Sequence, residues 1–214
     1  MNWPAFEALP LVGILRGVET RALQPLADCV ARAGLRALEI TMNTTHAASK
    51  IAALREAARG RFEVGAGTVL SLQALDEALA AGASFIVMPT LERDVARACR
   101  ERSIPFFPGA LTPQEVRAAA LSGATMIKIF PARLFGPAYF KDLLGPFDDL
   151  KLLACGGVDE VTLPQYFAAG AAAAAIGGSI FRAEWLRDGN FEAVQLALAP
   201  LVRACQRAVA VTNR

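Results

Sequence analysis

Histidine is nearly absent from this chain of 214 residues: His46 is the only one. That excludes a histidine-rich zinc site, which needs several imidazoles around one ion. Carboxylates alone could hold a divalent ion, yet no D-x-D cluster invites one. Lysine is scarce too. Only Lys50, Lys128, Lys141 and Lys151 occur, and arginine carries most of the positive charge. The cysteines, Cys29, Cys99, Cys155 and Cys205, are far apart with no C-x-x-C pair, and read as reduced thiols rather than a disulfide framework. No uninterrupted apolar run has the length of a membrane span; the alanine-rich stretch 168–180 is short and broken by glycines. Residues 1–10 show neither a basic n-region nor a long apolar h-region, so no signal peptide is predicted and a cytoplasmic protein is expected. The formal net charge is +2 and the basic residues form no block, so neither nucleic acid nor a membrane surface is an expected partner.

What is present is alternation. With 54% hydrophobic residues the chain can bury a large core, and one domain over 1–214 is expected, at a size where single barrels occur. After a lead-in over 1–10, short apolar runs at 11–17, 36–41, 62–69, 85–89, 105–109, 126–131, 151–157 and 172–179 read as strands. Helical segments separate them at 20–34, 47–58, 71–82, 92–102, 112–123, 137–144 and 162–170, and a long helix over 191–209 closes the chain. Thr20 and Ser71 stand as N-caps, and Thr112-Pro113 pairs an N-cap with proline at the first helical position. Ala33-Gly34, Ala81-Gly82, Ser122-Gly123 and Ala169-Gly170 repeat one helix stop, a small residue then glycine before the next strand. Eight such units of about 25 residues predict an α/β fold, a single (β/α)8 TIM barrel. An open doubly wound sheet is the competing arrangement, but no G-x-G-x-x-G follows the first strand.

In a barrel of this kind the functional residues lie at the C-terminal ends of the strands, and the polar residues of this chain fall there. Lys128 sits inside the apolar run Met126-Ile127-Lys128-Ile129-Phe130-Pro131. Burial disfavours the ammonium and lowers a lysine's pKa, and a neutral amine attacks carbonyls to form Schiff bases. A snorkelling or structurally paired lysine fits the same residue. Glu39 is embedded in the second strand and suits either a general acid/base or a counter-ion to Lys128 or Arg16. Arg16 ends the first strand and Thr68 closes the third. Gly156-Gly157 and Gly177-Gly178-Ser179 end the seventh and eighth. They serve as tight turns or as a phosphate site, since barrels commonly bind phosphate with those two loops.

Leu38-Glu39-Ile40-Thr41, Gly65-Ala66-Gly67-Thr68-Val69-Leu70, Met88-Pro89, Pro108-Gly109, Lys128-Ile129-Phe130-Pro131, Gly156-Gly157-Val158 and Gly177-Gly178-Ser179 occur in that order. Together they resemble the class I 2-keto-3-deoxy-6-phosphogluconate/6-phosphogalactonate aldolases, from about Leu11 to Arg182. The resemblance implies a (β/α)8 barrel, a homotrimer, no metal and no cofactor. It also implies cleavage of a phosphorylated 2-keto-3-deoxy sugar acid to pyruvate and glyceraldehyde 3-phosphate. On it, Lys128 is the Schiff-base lysine, Glu39 the general acid/base, and Arg16 with Thr68 the carboxylate site. Gly156, Gly157, Gly178 and Ser179 form the phosphate site, and Pro89 lines the pocket. The runs Gly13-Ile14-Leu15-Arg16-Gly17 and Phe135-Gly136-Pro137-Ala138-Tyr139, with Asn43, are closer to the galactonate branch. Cys155 stands where the gluconate branch usually has threonine and the galactonate branch valine, next to the substrate's C4 hydroxyl, so it bears on the choice of epimer. A phosphosugar isomerase or epimerase, which predicts no covalent adduct, and a silent phosphosugar-acid binding protein, which predicts binding without turnover, are the alternatives.

Overall fold

A computed structural model of the chain describes residues 1–212. Its strands are β1 (Leu11–Leu15), β2 (Ala37–Thr41), β3 (Glu63–Gly67), β4 (Ile86–Val87), β5 (Phe106–Phe107), β6 (Gly109–Ala110), β7 (Ile127–Ile129), β8 (Leu152–Cys155) and β9 (Ala173–Ile176). The helices are α1 (Trp3–Ala8), α2 (Leu23–Ala33), α3 (Ala47–Ala58), α4 (Leu72–Ala80), α5 (Arg93–Glu101), α6 (Pro113–Leu121), α7 (Ala138–Leu144), α8 (Thr162–Ala168), α9 (Ala183–Arg187) and α10 (Phe191–Thr212). All strand pairs are parallel, in the order β5-β4-β3-β2-β1-β9-β8-β7-β6. Pairing of β1 with β9 is what a barrel requires and an open doubly wound sheet lacks.

The fifth strand departs from the single run expected over 105–109. Pro108 has no N–H to donate, and the strand divides there. β5 pairs with β4, while β6 pairs with β7. The barrel still closes through this segment, because Lys128 N donates to Pro108 O at 2.9 Å and Phe130 N to Ala110 O at 3.1 Å. The result is a (β/α)8 barrel whose fifth strand is counted twice.

Local signals explain most helix boundaries. Ser71 Oγ accepts the Ala74 N–H at 3.1 Å. Thr112 and Glu115 form a reciprocal capping box at the start of α6, with Pro113 in the first turn. Gly34 ends α2 at φ 87°, where a Cβ would be strained. Thr20 is not an N-cap. Residues Thr20–Ala22 wind into a 3-10 turn ahead of α2, with no side-chain capping bond.

Two short helices were not foreseen: α1 within the lead-in and α9 after β9. α10 is long and apolar enough to cross a membrane by length and composition. Its buried residues Val194, Leu198, Leu201 and Cys205 follow helical spacing on one side, and that side packs on α2 and α8.

Side chains alternate across the strands. The outward set packs under the helices. The inward set at the N-terminal end of the barrel is apolar: Val12, Ala37, Phe85, Phe107, Met126, Leu153 and Ala173. Trp3 and Phe6 of α1 seal that end. Trp3 meets Phe6 edge-on at 5.8 Å, and Phe107 stacks on Phe85 at 5.7 Å.

Candidate active site

One rung further along the same strands the inward residues change character. Ala37 is followed on its face by Glu39, Met126 by Lys128, and Leu153 by Cys155. Glu39 is 1% exposed and Lys128 7%, so both are held inside the barrel. Space for the Glu39 carboxylate exists because β3 has glycine at 67, two residues beyond its register partner Gly65. A Cβ on Gly67 would lie 2.3 Å from Glu39 Oε1. Gly65 in turn makes room for Phe85, whose ring would lie 2.4 Å from a Cβ there. The G-A-G sequence of β3 is thus a packing requirement set by two inward side chains.

The electrostatics of this layer are coupled. Burial pushes the Glu39 carboxyl up to about 7, against the pull of the Lys128 ammonium and the Arg16 guanidinium. Its Oε2 is buried with no hydrogen-bond partner among the described residues. Desolvation raises the Cys155 thiol above its usual range, and the neighbouring Lys128 partly opposes that. Cys155 is therefore a poor thiolate source and packs as a small apolar side chain. Lys128 Nζ also stands 5.1 Å from the centroid of the Phe130 ring.

Above this layer opens a cleft of ≈ 550 Å³ at the C-terminal end of β1, β8 and β9. Arg16, Cys155, Gly156, Gly157, Gly178 and Ser179 all line it. Cys155 and Phe130 line the cleft and contact Lys128, so the lysine lies just beneath the cleft's inner wall. Gly156 and Gly157 have φ of 92° and 83°, a left-handed pair that keeps the turn after β8 tight. A Cβ on Gly178 would meet nothing within 4 Å, so its backbone is open to a ligand.

Neither Lys128 nor Glu39 lines this cleft, and two further expected residues stand apart from it. Pro89 lines a neighbouring hollow of ≈ 340 Å³, which shares only Phe130 with the main one. Thr68 follows Gly67, half-buried at φ 56°, and is not on the cleft wall.

Other residues were missed in the sequence. Thr44 is buried and its Oγ1 accepts the Gly17 N–H at 3.0 Å, which fixes the loop that carries Arg16. Thr41 Oγ1 lies 3.2 Å from Thr44 Oγ1 and links that tether to β2. Arg133, in the loop after β7, lines the main cleft beside the glycine pair. A hydroxyl at the end of an apolar strand, and an arginine five positions beyond the strand lysine, were the available signals. Among the described residues no three His, Cys, Asp or Glu side chains lie together as a metal set.

Comparison with known proteins places the chain among aldolases. The family model for KDPG and KHG aldolases matches residues 5–197. A 2-dehydro-3-deoxy-6-phosphogalactonate aldolase of Escherichia coli is 33% identical over 98% of this chain and 100% of its own. A 2-dehydro-3-deoxy-phosphogluconate aldolase of Pseudomonas aeruginosa is 37% identical over 75% of this chain and 71% of its own. A solved native KDPGal structure superposes with a TM-score of 0.88 at 33% identity, covering 94% of this chain and 97% of that one.

Proposed function

The chain belongs to the KDPG and KHG aldolase family, and from that premise we propose that it cleaves 2-dehydro-3-deoxy-6-phosphogalactonate through a Schiff base on Lys128. As a family member it is a class I aldolase, a carbon–carbon lyase. The products are pyruvate and glyceraldehyde 3-phosphate, and the C4 epimer, the gluconate, is a second substrate. The observation that carries the assignment is a buried lysine coupled to a buried carboxylate under the wall of an arginine-lined cleft.

Lys128 Nζ, as the free amine, attacks the C2 ketone of the substrate. Water leaves and a protonated imine forms, an electron sink for the bond to be broken. Glu39 takes the C4 hydroxyl proton, the C3–C4 electron pair moves into the sink, and the aldehyde departs. The same carboxyl returns a proton to C3 of the enamine, and hydrolysis frees pyruvate and Lys128. One carboxyl serves every step because the steps are sequential. A value of about 7 leaves it both forms near neutrality, which a group that takes and returns protons needs.

Arg16 suits the planar substrate carboxylate by bidentate geometry, with Thr68 assisting. Gly156, Gly157, Gly178 and Ser179 receive the phosphate at the opposite end. Holding both ends orients C3–C4 over the imine. Cys155 packs beside C4 and offers no strong hydrogen bond to either configuration, which is why both epimers are included. The working assembly is a homotrimer and its location cytoplasmic.

The test is pyruvate release from each epimer, followed with lactate dehydrogenase and NADH. Turnover of both, with the galactonate favoured in kcat/KM, is the expected result. Absence of pyruvate from both substrates would sink the proposal.

A further inference from the structure

The four residues assigned to the phosphate are glycines and a serine, none of them charged, whereas a phosphate monoester near neutral pH carries close to two negative charges. Backbone N–H groups can cradle it, but nothing in that set balances its charge. Arg16 lines the same cleft, but the proposed function assigns it to the substrate carboxylate.

Arg133 is built into the glycine turn. Its backbone N–H donates to Gly156 O at 3.0 Å, tying the loop after β7 to the loop after β8. Its stem lies flat over Gly157: a Cβ there would sit 2.6 Å from Arg133 Cβ and 3.2 Å from Cδ. Glycine at 157 is therefore required twice, by its φ of 83° and by the arginine packed on it. The guanidinium makes no ion pair among the described residues. The acidic residue on the cleft wall, Asp159, spends Oδ1 on the N–H groups of Val161 and Thr162 and on the Thr162 hydroxyl. A cation with a docked stem and no carboxylate partner faces the same cleft as Gly178 and Ser179.

We infer that Arg133 is the cationic member of the phosphate site and sets the preference for phosphorylated over unphosphorylated substrates. This rests on the aldolase reading for the substrate's identity, but the anion site can be tested without turnover. A guanidinium matches phosphate oxygens in a planar fork and loses less side-chain freedom when its stem is already packed.

The experiment compares wild type with Arg133→Met, which keeps an unbranched apolar stem, and Arg133→Lys, which keeps the charge. Three quantities are read: the Kd for inorganic phosphate by calorimetry, the KM for the phosphorylated substrate, and the yield of pyruvate adduct trapped by borohydride. Losing a charge-assisted contact of this kind should weaken phosphate binding and raise KM on the order of 10- to 100-fold in the methionine variant. The lysine variant should recover part of the loss. Any change in pyruvate trapping, which involves no phosphate, should be at least tenfold smaller.

Equal phosphate affinity in wild type and the methionine variant would overturn the role of Arg133. So would a loss of equal size in pyruvate trapping, because that would mark a structural defect. Failure of the parent reading looks different: wild type would trap no pyruvate at all, while its phosphate affinity still reported on Arg133.

Discussion

The two ends of the barrel are made from the same strands and could hardly differ more. At the N-terminal end the inward rung is Val12, Ala37, Phe85, Phe107, Met126 and Leu153, sealed by Trp3 and Phe6. One rung on, the same strands present Glu39 and Lys128 beneath an open cleft and Cys155 on its wall. A step of two residues along a strand takes the chain from an apolar rung to an ionisable one. The apolar rung stabilises the fold without limiting pH. The charged rung costs stability, because Glu39 is held at 1% exposure with Oε2 unpartnered among the described residues.

The contrast is sharpest at Lys128. Lys128→Arg keeps the charge but cannot form an imine, so turnover should fall by at least about 10³-fold with the fold intact. Steady-state kinetics beside circular dichroism would show it. Activity surviving at more than trace levels would move the chemistry away from this lysine.

Glu39 carries both sides of the contrast at once. Glu39→Gln should lower kcat by about 10²- to 10⁴-fold, the usual range for a general acid/base. Its effect on stability should have the opposite sign. The folded protein holds the Glu39 proton up to about 7, against an ordinary 4.5, so between those values it binds more protons than the unfolded chain. The stability from this group is present below 4.5 and is lost as pH rises to about 7. The loss is roughly 3 kcal/mol, from a displacement of that size. The glutamine variant lacks that loss. It should melt at a higher temperature than wild type at pH 8 and at nearly the same temperature at pH 4. A variant less stable than wild type at pH 8 would contradict the origin given for the raised value.

Phe107→Ala tests the sealed end. Phe107 is 0% exposed, stacked on Phe85 and 6.4 Å from Trp3. Its loss should cost about 3–5 kcal/mol by urea denaturation, with little change in kcat/KM well below the melting temperature. A large change in kcat/KM with little loss of stability would show that the two ends are not separable.

What could be read in advance follows the same division. The barrel was legible because its signal is repeated: apolar runs, capped helices and the small-residue–glycine stops. Glu39, Lys128 and Arg16 were legible because charge inside or at the end of an apolar strand is costly and stands out. The lead-in helix α1 was not, since six residues are too few to show a helical period. The five-residue α9 was missed for the same reason. Pro108 was visible, but whether a proline ends or merely interrupts a strand depends on which neighbours pair across it. Thr20 looked like a cap because threonine before a helix usually is one, and the chain turned through a 3-10 segment instead. Arg133 and Thr44 sit in loops, where no periodicity constrains what a side chain meets. Their contacts emerge only when the loops after β1, β2, β7 and β8 are brought together.

The most direct measurement is borohydride reduction of the protein in excess pyruvate, followed by peptide mass mapping. A reduced pyruvyl adduct on the peptide containing Lys128, absent in Lys128→Arg, is the predicted result. A folded protein with no adduct, or an adduct on Lys50, Lys141 or Lys151, would contradict a mechanism centred on the lysine of β7.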